Sequence, residues 1–275
     1  MKKLSAQISF FMKEILNEDK KIFNIELGSI GNKIFEYYSN KEIDRIEIKS
    51  KYPEKIQFNM TKNNGDIFFT VLKEHNYDSE SNYMRDVIFT YINNPRYKRE
   101  EIIFSKKFSD IENAIEQKRK LNIKYNKEIR TINPYFIKVA DRENRNYLFC
   151  YCEKCEDYRC YKISEIESIM MSKSELEIKD EEYIEGIFKN FDPFRSHGKK
   201  VKVRLTENGK KILEKVIANR PKILNEDGDN FIFECDEKLA QVYFAQFFSE
   251  VEILEPENLR EWFKNIYEKA YKKYI

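Results

Sequence analysis

The sequence is poor in the residues that interrupt regular structure and in the residues that most often carry catalysis. Its 275 residues include only 7 glycines and 6 prolines, which excludes long flexible linkers and collagen-like or low-complexity segments. Only two histidines occur, His75 and His197, and they fall in different predicted units. No Ser-His-acid or Cys-His triad is supported, and we expect the protein not to be an enzyme.

Long hydrophobic runs are also missing. No apolar stretch approaches the ~20 residues that a membrane span needs. Polar and charged residues break up residues 1–14, so the N-terminus has no signal-peptide core. The five cysteines are an odd number without a secretory signal, which favours a reducing compartment. We expect a cytoplasmic protein without membrane contact.

Charge is abundant but balanced. Charged residues make up 36% of the chain and the net charge is +2. A balanced total does not exclude nucleic-acid binding, because the distribution of the charges decides it. Residues 118–145 hold nine Lys or Arg against three Asp or Glu, and residues 49–62 hold four Lys against one Glu. Both segments are therefore candidates for contact with phosphate.

The first fifty residues show apolar residues at helical spacing. This spacing predicts an amphipathic helix over residues 4–16. A second helix is predicted to begin at Ser29, which can cap it. Residues 1–50 are therefore predicted to form a helical extension.

Residues 55–61 alternate between apolar and polar side chains, which predicts a strand with one buried face. The apolar positions are Ile56, Phe58 and Met60, and the polar positions are Lys55, Gln57, Asn59 and Thr61. Two helices follow, the second beginning at Asp78 or Ser79 and ending before Pro95. Such a segment cannot bury its own strand edge, so we predict that two copies pair antiparallel into a ribbon.

Residues 52–94 resemble the ribbon-helix-helix family. A two-stranded ribbon fits the major groove of DNA, where Gln and Asn can each bind adenine through two hydrogen bonds. The N-terminus of the second helix offers N–H groups to a phosphate. The candidate DNA-binding residues are Lys55, Gln57, Asn59, Thr61, Ser79, Ser81 and Arg85. The alternative is an ordinary half-buried strand that reads no DNA.

Short β-rich runs over residues 122–170 predict a small β-barrel. Residues 108–170 resemble the WYL domain, an Sm-like or SH3-like barrel of bacterial transcription regulators and CRISPR-linked proteins. The matching features are the helix Ile111 to Arg119, the strand Ile123-Lys124-Tyr125, Arg130, Pro134, Asn146-Tyr147-Leu148 in place of the name-giving tripeptide, and the strand Arg159-x-Tyr161-Lys162-Ile163-x-x-Ile166. Asn146 replaces the family's Trp, and Glu165 stands where the family often has Arg.

The resemblance implies a site that senses single-stranded nucleic acid or a nucleotide. Aromatic and basic side chains on a barrel can stack bases and clamp phosphates. The candidates for effector or single-strand binding are Tyr125, Arg130, Tyr147, Arg159 and Lys162. The alternative is that the tyrosines are core and the charges are a solvated face.

A cysteine cluster offers an alternative chemistry. Cys152 and Cys155 have the spacing of zinc ligands, and Cys160 follows closely. Zinc ligands must converge at ~2.3 Å on one ion, whereas strand alternation places Cys150 in the core. We therefore expect neither metal nor cofactor, and Cys152, Cys155 and Cys160 remain the alternative metal site.

The sequence as a whole predicts an α+β multidomain fold: a ribbon-helix-helix, a WYL barrel and a C-terminal βαββαβ unit of ferredoxin-like order. That last unit resembles the extension that often follows WYL domains, and we expect it to mediate dimerisation. The predicted domains are 1–50, 51–107, 108–180, a connector at 181–199, and 200–275.

Two functions follow from this organisation. The first is a homodimeric, ligand-responsive transcription regulator that reads DNA and binds an effector through the barrel. The alternative is a CRISPR-linked accessory protein that binds single-stranded RNA and modulates an RNA-guided nuclease. A plain dimerising scaffold is a third reading.

Overall fold

The computed structural model describes residues 2–46, 53–140, 143–196, 198–217 and 219–275. Of the charged residues counted above in segments 49–62 and 118–145, Lys49, Lys51, Asp141 and Arg142 lie outside these ranges, and so does His197. The chain divides into two compact units. The first comprises Met1–Val139 and Asn144–Glu177, and the second comprises Ala140–Glu143 and Ile178–Ile275. None of the helices in the described ranges has the length and hydrophobicity that crossing a bilayer requires.

The first unit begins with the same element order twice: a strand followed by two helices. The elements are β1 (Lys3–Ser9), α1 (Phe10–Phe23), α2 (Leu27–Tyr38), β2 (Pro53–Asn59), α3 (Lys62–Glu74) and α4 (Glu80–Ile92). Side-chain caps start three of the four helices. Ser9, Thr61 and Ser79 each accept a hydrogen bond from a backbone N–H in the first turn of the helix that follows.

The two strands pair with each other inside one chain. β1 and β2 are antiparallel, with a register that runs from Lys3 opposite Asn59 to Ser9 opposite Pro53. Alternate residues of both strands are buried: Leu4, Ala6 and Ile8 in β1, and Ile56 and Phe58 in β2. The ribbon therefore has one face on the helices and one face toward solvent.

This arrangement corrects two predictions. The helix predicted over residues 4–16 is wrong, because residues 3–9 form β1 and the helix begins only after Ser9. Its apolar positions Leu4 and Ile8 are four residues apart, a spacing that fits both a helix face and alternate residues of a strand. The prediction that two copies of residues 55–61 form the ribbon is also wrong, since β2 has an internal partner.

The rest of the first unit is two helices and an antiparallel sheet. These elements are α5 (Arg96–Ile103), α6 (Ser105–Glu116), β3 (Arg119–Tyr125), β4 (Glu128–Ala140), β5 (Arg145–Cys152), β6 (Asp157–Lys162) and β7 (Ser168–Glu175). The five strands lie in the order β6-β5-β4-β3-β7. Short 3-10 turns, Glu153–Cys155 and Ile163–Glu165, follow β5 and β6.

One continuous hydrophobic core underlies the first unit. It extends from Leu4 in β1 through Tyr91 in α4 to Leu148 in β5 and Ile166 beyond β6. The ribbon, the helices and the five-stranded sheet therefore share buried contacts. The division of this region into 1–50, 51–107 and 108–180 stays a prediction.

The second unit has a separate core and a four-stranded sheet. Its elements are α7 (Glu181–Lys189), β8 (Lys200–Leu205), α8 (Glu207–Lys215), β9 (Lys222–Asp227), β10 (Asn230–Glu234), α9 (Glu237–Phe244), β11 (Val251–Glu255) and α10 (Glu257–Tyr271). From β8 to β11 this is the element order that the sequence predicted. The strands are antiparallel and lie in the order β11-β8-β10-β9.

Candidate nucleic-acid interface

The solvent face of the ribbon is polar on both strands. Its six side chains come from alternate positions and are Lys3, Ser5, Gln7, Lys55, Gln57 and Asn59. Cross-strand neighbours pair Lys3 with Asn59, Ser5 with Gln57, and Gln7 with Lys55. Five of the six residues are exposed, and Ser5 is half-buried. Both strands thus contribute amide or hydroxyl and lysine side chains to one continuous face.

The buried face fixes this ribbon against α2. The Phe58 ring lies so close to Gly31 that a Cβ on Gly31 would meet the ring carbon Cζ at 2.5 Å. Asn32 holds the end of β2, because its Nδ2 donates to the Asn59 carbonyl at 3.0 Å and its Oδ1 accepts from the Thr61 N–H at 2.8 Å. The exposed amides therefore stand on a rigid support.

The predicted DNA-binding residues beyond Asn59 have other contacts. Thr61 lies past the end of β2, where its hydroxyl accepts from the Asn64 N–H and caps α3. The prediction that Thr61 points out from the strand with Gln57 and Asn59 is wrong, because the chain already turns into the helix at this residue.

At the start of α4, the predicted residues have contacts of different kinds. Ser79 caps the helix, and the Ser81 hydroxyl accepts from the backbone N–H of Gln7 at 3.1 Å. This bond holds the N-terminus of α4, the positive end of the helix dipole, beside the ribbon. A helix N-terminus in that place can bind a DNA phosphate next to the major groove. Arg85 instead forms an ion pair with buried Asp86 at 3.1 Å and donates to Asn82 Oδ1 at 3.2 Å.

The sequence analysis missed half of the ribbon. Lys3, Ser5 and Gln7 supply the β1 side of the polar face, opposite the three predicted residues of β2. A signal was present, because residues 3–9 alternate in the same way as residues 53–59. The helical spacing of Leu4 and Ile8 obscured it.

Tyr125 and Arg130, both predicted to bind a ligand, meet on one face of the five-stranded sheet. The rings of Tyr125 and Tyr161 lie 4.7 Å apart. Arg130 donates from Nη1 to the Tyr161 hydroxyl at 3.4 Å and to the Cys155 sulfur at 3.2 Å. This cluster combines a cation with two aromatic rings, which suits a base and its phosphate.

Glu165, which replaces the family's Arg, completes the cluster. The Tyr125 hydroxyl donates to Glu165 Oε2 at 2.5 Å. Burial and this hydrogen bond to Glu165 raise the pKa of Tyr125, so the hydroxyl stays protonated at neutral pH. A carboxylate at this position favours a hydrogen-bond donor on the ligand over a second phosphate.

Tyr147 and Lys162, also predicted to bind a ligand, lie on the other face of β5. They are directly opposite each other in the register, with the Lys162 ammonium 5.8 Å from the centre of the Tyr147 ring. Beside them the rings of Phe149 and Tyr158 stack at 5.5 Å, nearly parallel. Tyr147 is buried, whereas Tyr158 is only partly buried.

The structure therefore separates the five predicted residues of the barrel. Tyr125 and Arg130 lie together, and Tyr147 and Lys162 lie together on the opposite face. Arg159 is in an ion pair with Asp157 at 2.6 Å. Strand alternation produces this division because β5 exposes successive side chains on opposite faces.

A buried polar network, which the sequence analysis missed, joins α5 to β5. Arg145 Nη2 donates to Glu100 Oε1 at 3.1 Å, and the Asn146 backbone N–H donates to Glu100 Oε2 at 2.8 Å. Asn146 Nδ2 also donates to the Tyr97 carbonyl at 2.7 Å. Asn146, the first residue of the tripeptide Asn146-Tyr147-Leu148, is therefore hydrogen-bonded to α5.

The neighbouring residue of α5 contacts the ribbon half of the unit. Arg99 donates from Nε and Nη2 to the two oxygens of Asp19 in α1, at 2.7 and 2.9 Å. The Tyr91 hydroxyl donates to Asp19 at 2.7 Å. Because Arg99 and Glu100 are adjacent, α5 carries charged contacts to α1 on one side and to β5 on the other.

The alternative metal site is contradicted by the strand register. Cys160 lies opposite Phe149, whereas Cys152 lies opposite Asp157. Directly opposed residues share a face and successive residues alternate, so Cys160 points away from Cys152. Within the described ranges, no group of three or more His, Cys, Asp or Glu side chains is arranged to hold a metal ion.

Comparison with protein families identifies the region of the five-stranded sheet. Residues 106–171 match the WYL domain family, which confirms the resemblance found over residues 108–170. No curated protein matches the sequence.

Among solved structures, one described as "Crystal structure of a CRISPR Cas-related protein" is similar with a TM-score of 0.71. The identity is 16%, and the match covers 99% of this chain and 94% of the other. This match shows a shared fold. Proteasome accessory factor B/C (PafBC) of Arthrobacter aurescens also matches, at 16% identity, with a TM-score of 0.30 and coverage of 75% of this chain and 35% of that one. A TM-score of 0.30 does not indicate a shared overall fold.

Proposed function

Since residues 106–171 form a WYL domain, we propose that this protein is a non-enzymatic, nucleic-acid-binding regulator. It reads duplex DNA through the β1–β2 ribbon, and it binds single-stranded nucleic acid or a nucleotide as effector through the barrel. The observation that carries the proposal is the ribbon's exposed face of three amides, two lysines and a serine, opposite a face whose buried residues are all apolar.

We infer that residues 3–92 form a ribbon-helix-helix fold within one chain. Two strand–helix–helix segments whose strands pair antiparallel reproduce the arrangement that this family makes from two subunits. The ribbon is narrow enough for the major groove, and Gln7, Gln57 and Asn59 have the two-pronged geometry that adenine requires. Because the two halves differ in sequence, the preferred site need not be symmetric.

The barrel supplies the effector site of the proposal. Arg130 can hold a phosphate and the half-buried Tyr125 can stack a base, with buried Tyr161 supporting both from behind. Effector binding has a physical route to the ribbon through α5, where Glu100 binds β5 and Arg99 binds α1. A ligand that favours one packing of α5 would shift the position of the ribbon's supporting helices.

The second unit is the proposed dimerisation module. In its sheet, the order β11-β8-β10-β9 places β9 and β10 side by side at one edge. These are the second and third strands of the βαββαβ unit, and the ferredoxin-like arrangement pairs them in the same way. A homodimer would present two complete ribbons, and therefore two adjacent DNA sites. We place the protein in the cytoplasm, since an odd number of cysteines without a secretory signal favours a reducing compartment.

The test is a selection from randomised duplex DNA with the full chain, followed by affinity measurements on the enriched sequence. The double variant Q57A/N59A is expected to weaken binding to that sequence by roughly tenfold or more for each amide, since a bidentate base contact contributes about 1–3 kcal/mol. Binding to unrelated duplexes should change little, because phosphate contacts persist.

The matched control is N113A/Q117A, which removes one Asn and one Gln from exposed positions at the end of α6. It should leave affinity unchanged. If the selection yields no preferred sequence, or if both double variants bind equally well, the ribbon is not a DNA reader.

The alternative function, in which the chain binds single-stranded RNA and modulates an RNA-guided nuclease, is favoured by one observation. The solved structure that covers nearly the whole chain is described as a CRISPR Cas-related protein. Affinities for single-stranded RNA and for the selected duplex, measured at the same stated salt concentrations, distinguish the two. A tighter RNA complex that is weakened by R130A and not by Q57A/N59A would support the alternative.

A further inference from the structure

Two cysteines lie together beside the Arg130 cluster. Cys152 ends β5, and Cys155 ends the 3-10 turn Glu153–Cys155 that follows it. A 3-10 turn repeats every three residues and so brings positions three apart to the same side. Polar groups of Cys155 belong to the surroundings that shift the pKa of Cys152. The two side chains are therefore close to each other at one end of β5.

The surroundings favour a thiolate in this pair. Burial opposes ionisation of Cys152, but hydrogen bonds from the Tyr161 hydroxyl and from Cys155, with the charge of Arg130, outweigh burial and lower the pKa of Cys152. Arg130 Nη1 also donates to the Cys155 sulfur at 3.2 Å. Reactive cysteines occupy such electropositive, partly accessible places.

The other cysteine of β5 shows the contrast. Cys150 is fully buried two residues before Cys152, and burial raises the pKa of its thiol well above the ordinary value. Cys160 is on the opposite face of the sheet, as the register shows. Cys152 and Cys155 are thus the two cysteines of the cluster that lie in the surroundings of Arg130.

We propose that Cys152 and Cys155 form a reversible disulfide in response to hydroperoxides, which makes this pair a redox-sensitive modification site in the barrel. The partly buried Cys155 is the sulfur that a small oxidant can reach, and the buried Cys152 resolves the product. The site needs no group outside this chain except the peroxide.

The reaction balances as two steps. The Cys155 sulfur attacks one oxygen of hydrogen peroxide, the O–O bond breaks, and the thiol proton passes to the departing oxygen, so that the products are Cys155 sulfenic acid and water. The Cys152 sulfur then attacks the Cys155 sulfur, the S–O bond breaks, and the proton of Cys152 leaves with the hydroxyl as a second water. The two thiols lose two electrons and the peroxide gains them.

The disulfide changes what Arg130 contacts. A disulfide sulfur is neutral and a poor acceptor, and closing the bond to its ordinary length draws Cys155 toward Cys152. Arg130 Nη1 then loses its sulfur partner and can donate to a phosphate beside Tyr125, while Nη2 keeps its ion pair with Glu128 at 2.8 Å. This consequence rests on the proposed function of the barrel, whereas formation of the disulfide does not.

The experiment uses the full chain with all five cysteines, in the presence of a chelator. The protein is treated with hydrogen peroxide, its remaining thiols are alkylated after unfolding, and the peptides are identified by mass spectrometry. The expected result is a peptide that contains both Cys152 and Cys155, has lost two hydrogens and carries no alkyl group at either residue. Dithiothreitol should restore both thiols.

Three variants test the individual steps of disulfide formation. C160S is the matched control and should form the disulfide as the wild type does, whereas C152S should stop at the oxidised Cys155. R130A should slow disulfide formation, because the thiolate loses its nearest cation. The proposal is overturned by a disulfide that includes Cys160, by linkage between chains, or by irreversible oxidation of Cys155 while Cys152 remains a thiol.

A binding measurement separates this inference from the proposed function. Oxidised wild type should bind a labelled single-stranded RNA about three- to tenfold more tightly than reduced protein, the effect of gaining one charge-assisted hydrogen bond. R130A should show no such difference. If RNA does not bind in either state, the effector role of the barrel fails, while the mass measurement still decides whether the disulfide forms.

Discussion

Gly31 shows how one residue sets the position of the ribbon's polar face. α2 approaches the ribbon so closely at this point that the Phe58 ring occupies the space of a Cβ. Alanine is ordinarily the better helix residue by about 1 kcal/mol, yet overfilling a packed core costs about 1–3 kcal/mol. Since Phe58 is itself buried between the ribbon and the helix, the steric cost dominates.

We therefore predict that G31A lowers the free energy of opening of β2 by about 1 kcal/mol. Hydrogen exchange of the amides of residues 56–58 measures it directly. G65A is the control, because a Cβ there would lie 3.5 Å from Lys2 Cβ, an ordinary contact. The double variant G31A/F58L should recover most of the loss, and full additivity of the two changes would contradict the proposed contact.

Asp19, Arg99 and Tyr91 form the second decisive contact at this scale. The Asp19 carboxylate is fully buried and accepts from both partners. Breaking a buried ion pair from one side leaves an unpaired charge and costs about 3–5 kcal/mol, whereas replacing all members with apolar groups costs far less.

Accordingly, D19A should destabilise the first unit by about 3–5 kcal/mol in urea unfolding, and the triple variant D19L/Y91F/R99M should be markedly more stable than D19A. The comparison uses the same full chain throughout. An equal loss in the single and triple variants would mean that packing volume, and not the unpaired charge, determines the effect.

At the scale of elements, β1 is a full partner in the ribbon. Gln7 lies opposite Lys55 and stands on the same exposed face as Gln57. Its backbone N–H also binds Ser81 at the start of α4. This backbone bond does not depend on the side chain, so the amide can be removed without releasing the helix.

Q7A is therefore expected to weaken binding to the selected duplex roughly tenfold, comparable to loss of one amide from β2. Fluorescence anisotropy at fixed salt measures the change. S5A, at the centre of the same strand, should have a smaller effect because a hydroxyl discriminates bases less than an amide. If Q7A binds as tightly as the wild type, β1 supports the ribbon without reading bases.

Element boundaries show which parts of the fold are encoded locally. The sequence predicts β2, α3 and α4 correctly, because alternation, the Ser79 cap and Pro95 act within a few residues. It also predicts the order of elements from β8 to β11. α5 was not predicted, since its buried residues include Arg99 and Glu100, whose burial depends on partners far away in the chain.

At the scale of the whole molecule, the complete ribbon belongs to one chain, and the first unit has its own core. DNA reading by a single ribbon should therefore not need a second copy. Dimerisation through the second unit, if it occurs, would add a second ribbon and a second site.

A chain of residues 1–177 is predicted to fold and to bind the selected half-site with one protein per duplex. Light scattering of the complex gives the stoichiometry, and circular dichroism confirms folding. The full chain on a duplex with two half-sites is the comparison, and should bind more tightly. A folded 1–177 fragment that binds DNA only as a dimer would contradict a self-sufficient ribbon.

The sequence by itself determined the local features: most helices and strands, the WYL domain over residues 108–170, and the amide-bearing strand at residues 55–61, which the structure places at 53–59. Only the tertiary structure decided that this strand pairs with residues 3–9, that Tyr125 and Tyr147 face opposite ways, and that Asn146 binds a helix. The physical reason is the separation along the chain over which each interaction acts. Caps, turns and alternation act between neighbours in the chain, whereas pairing, register and buried ion pairs join residues tens of positions apart and are fixed by the packing of the whole unit.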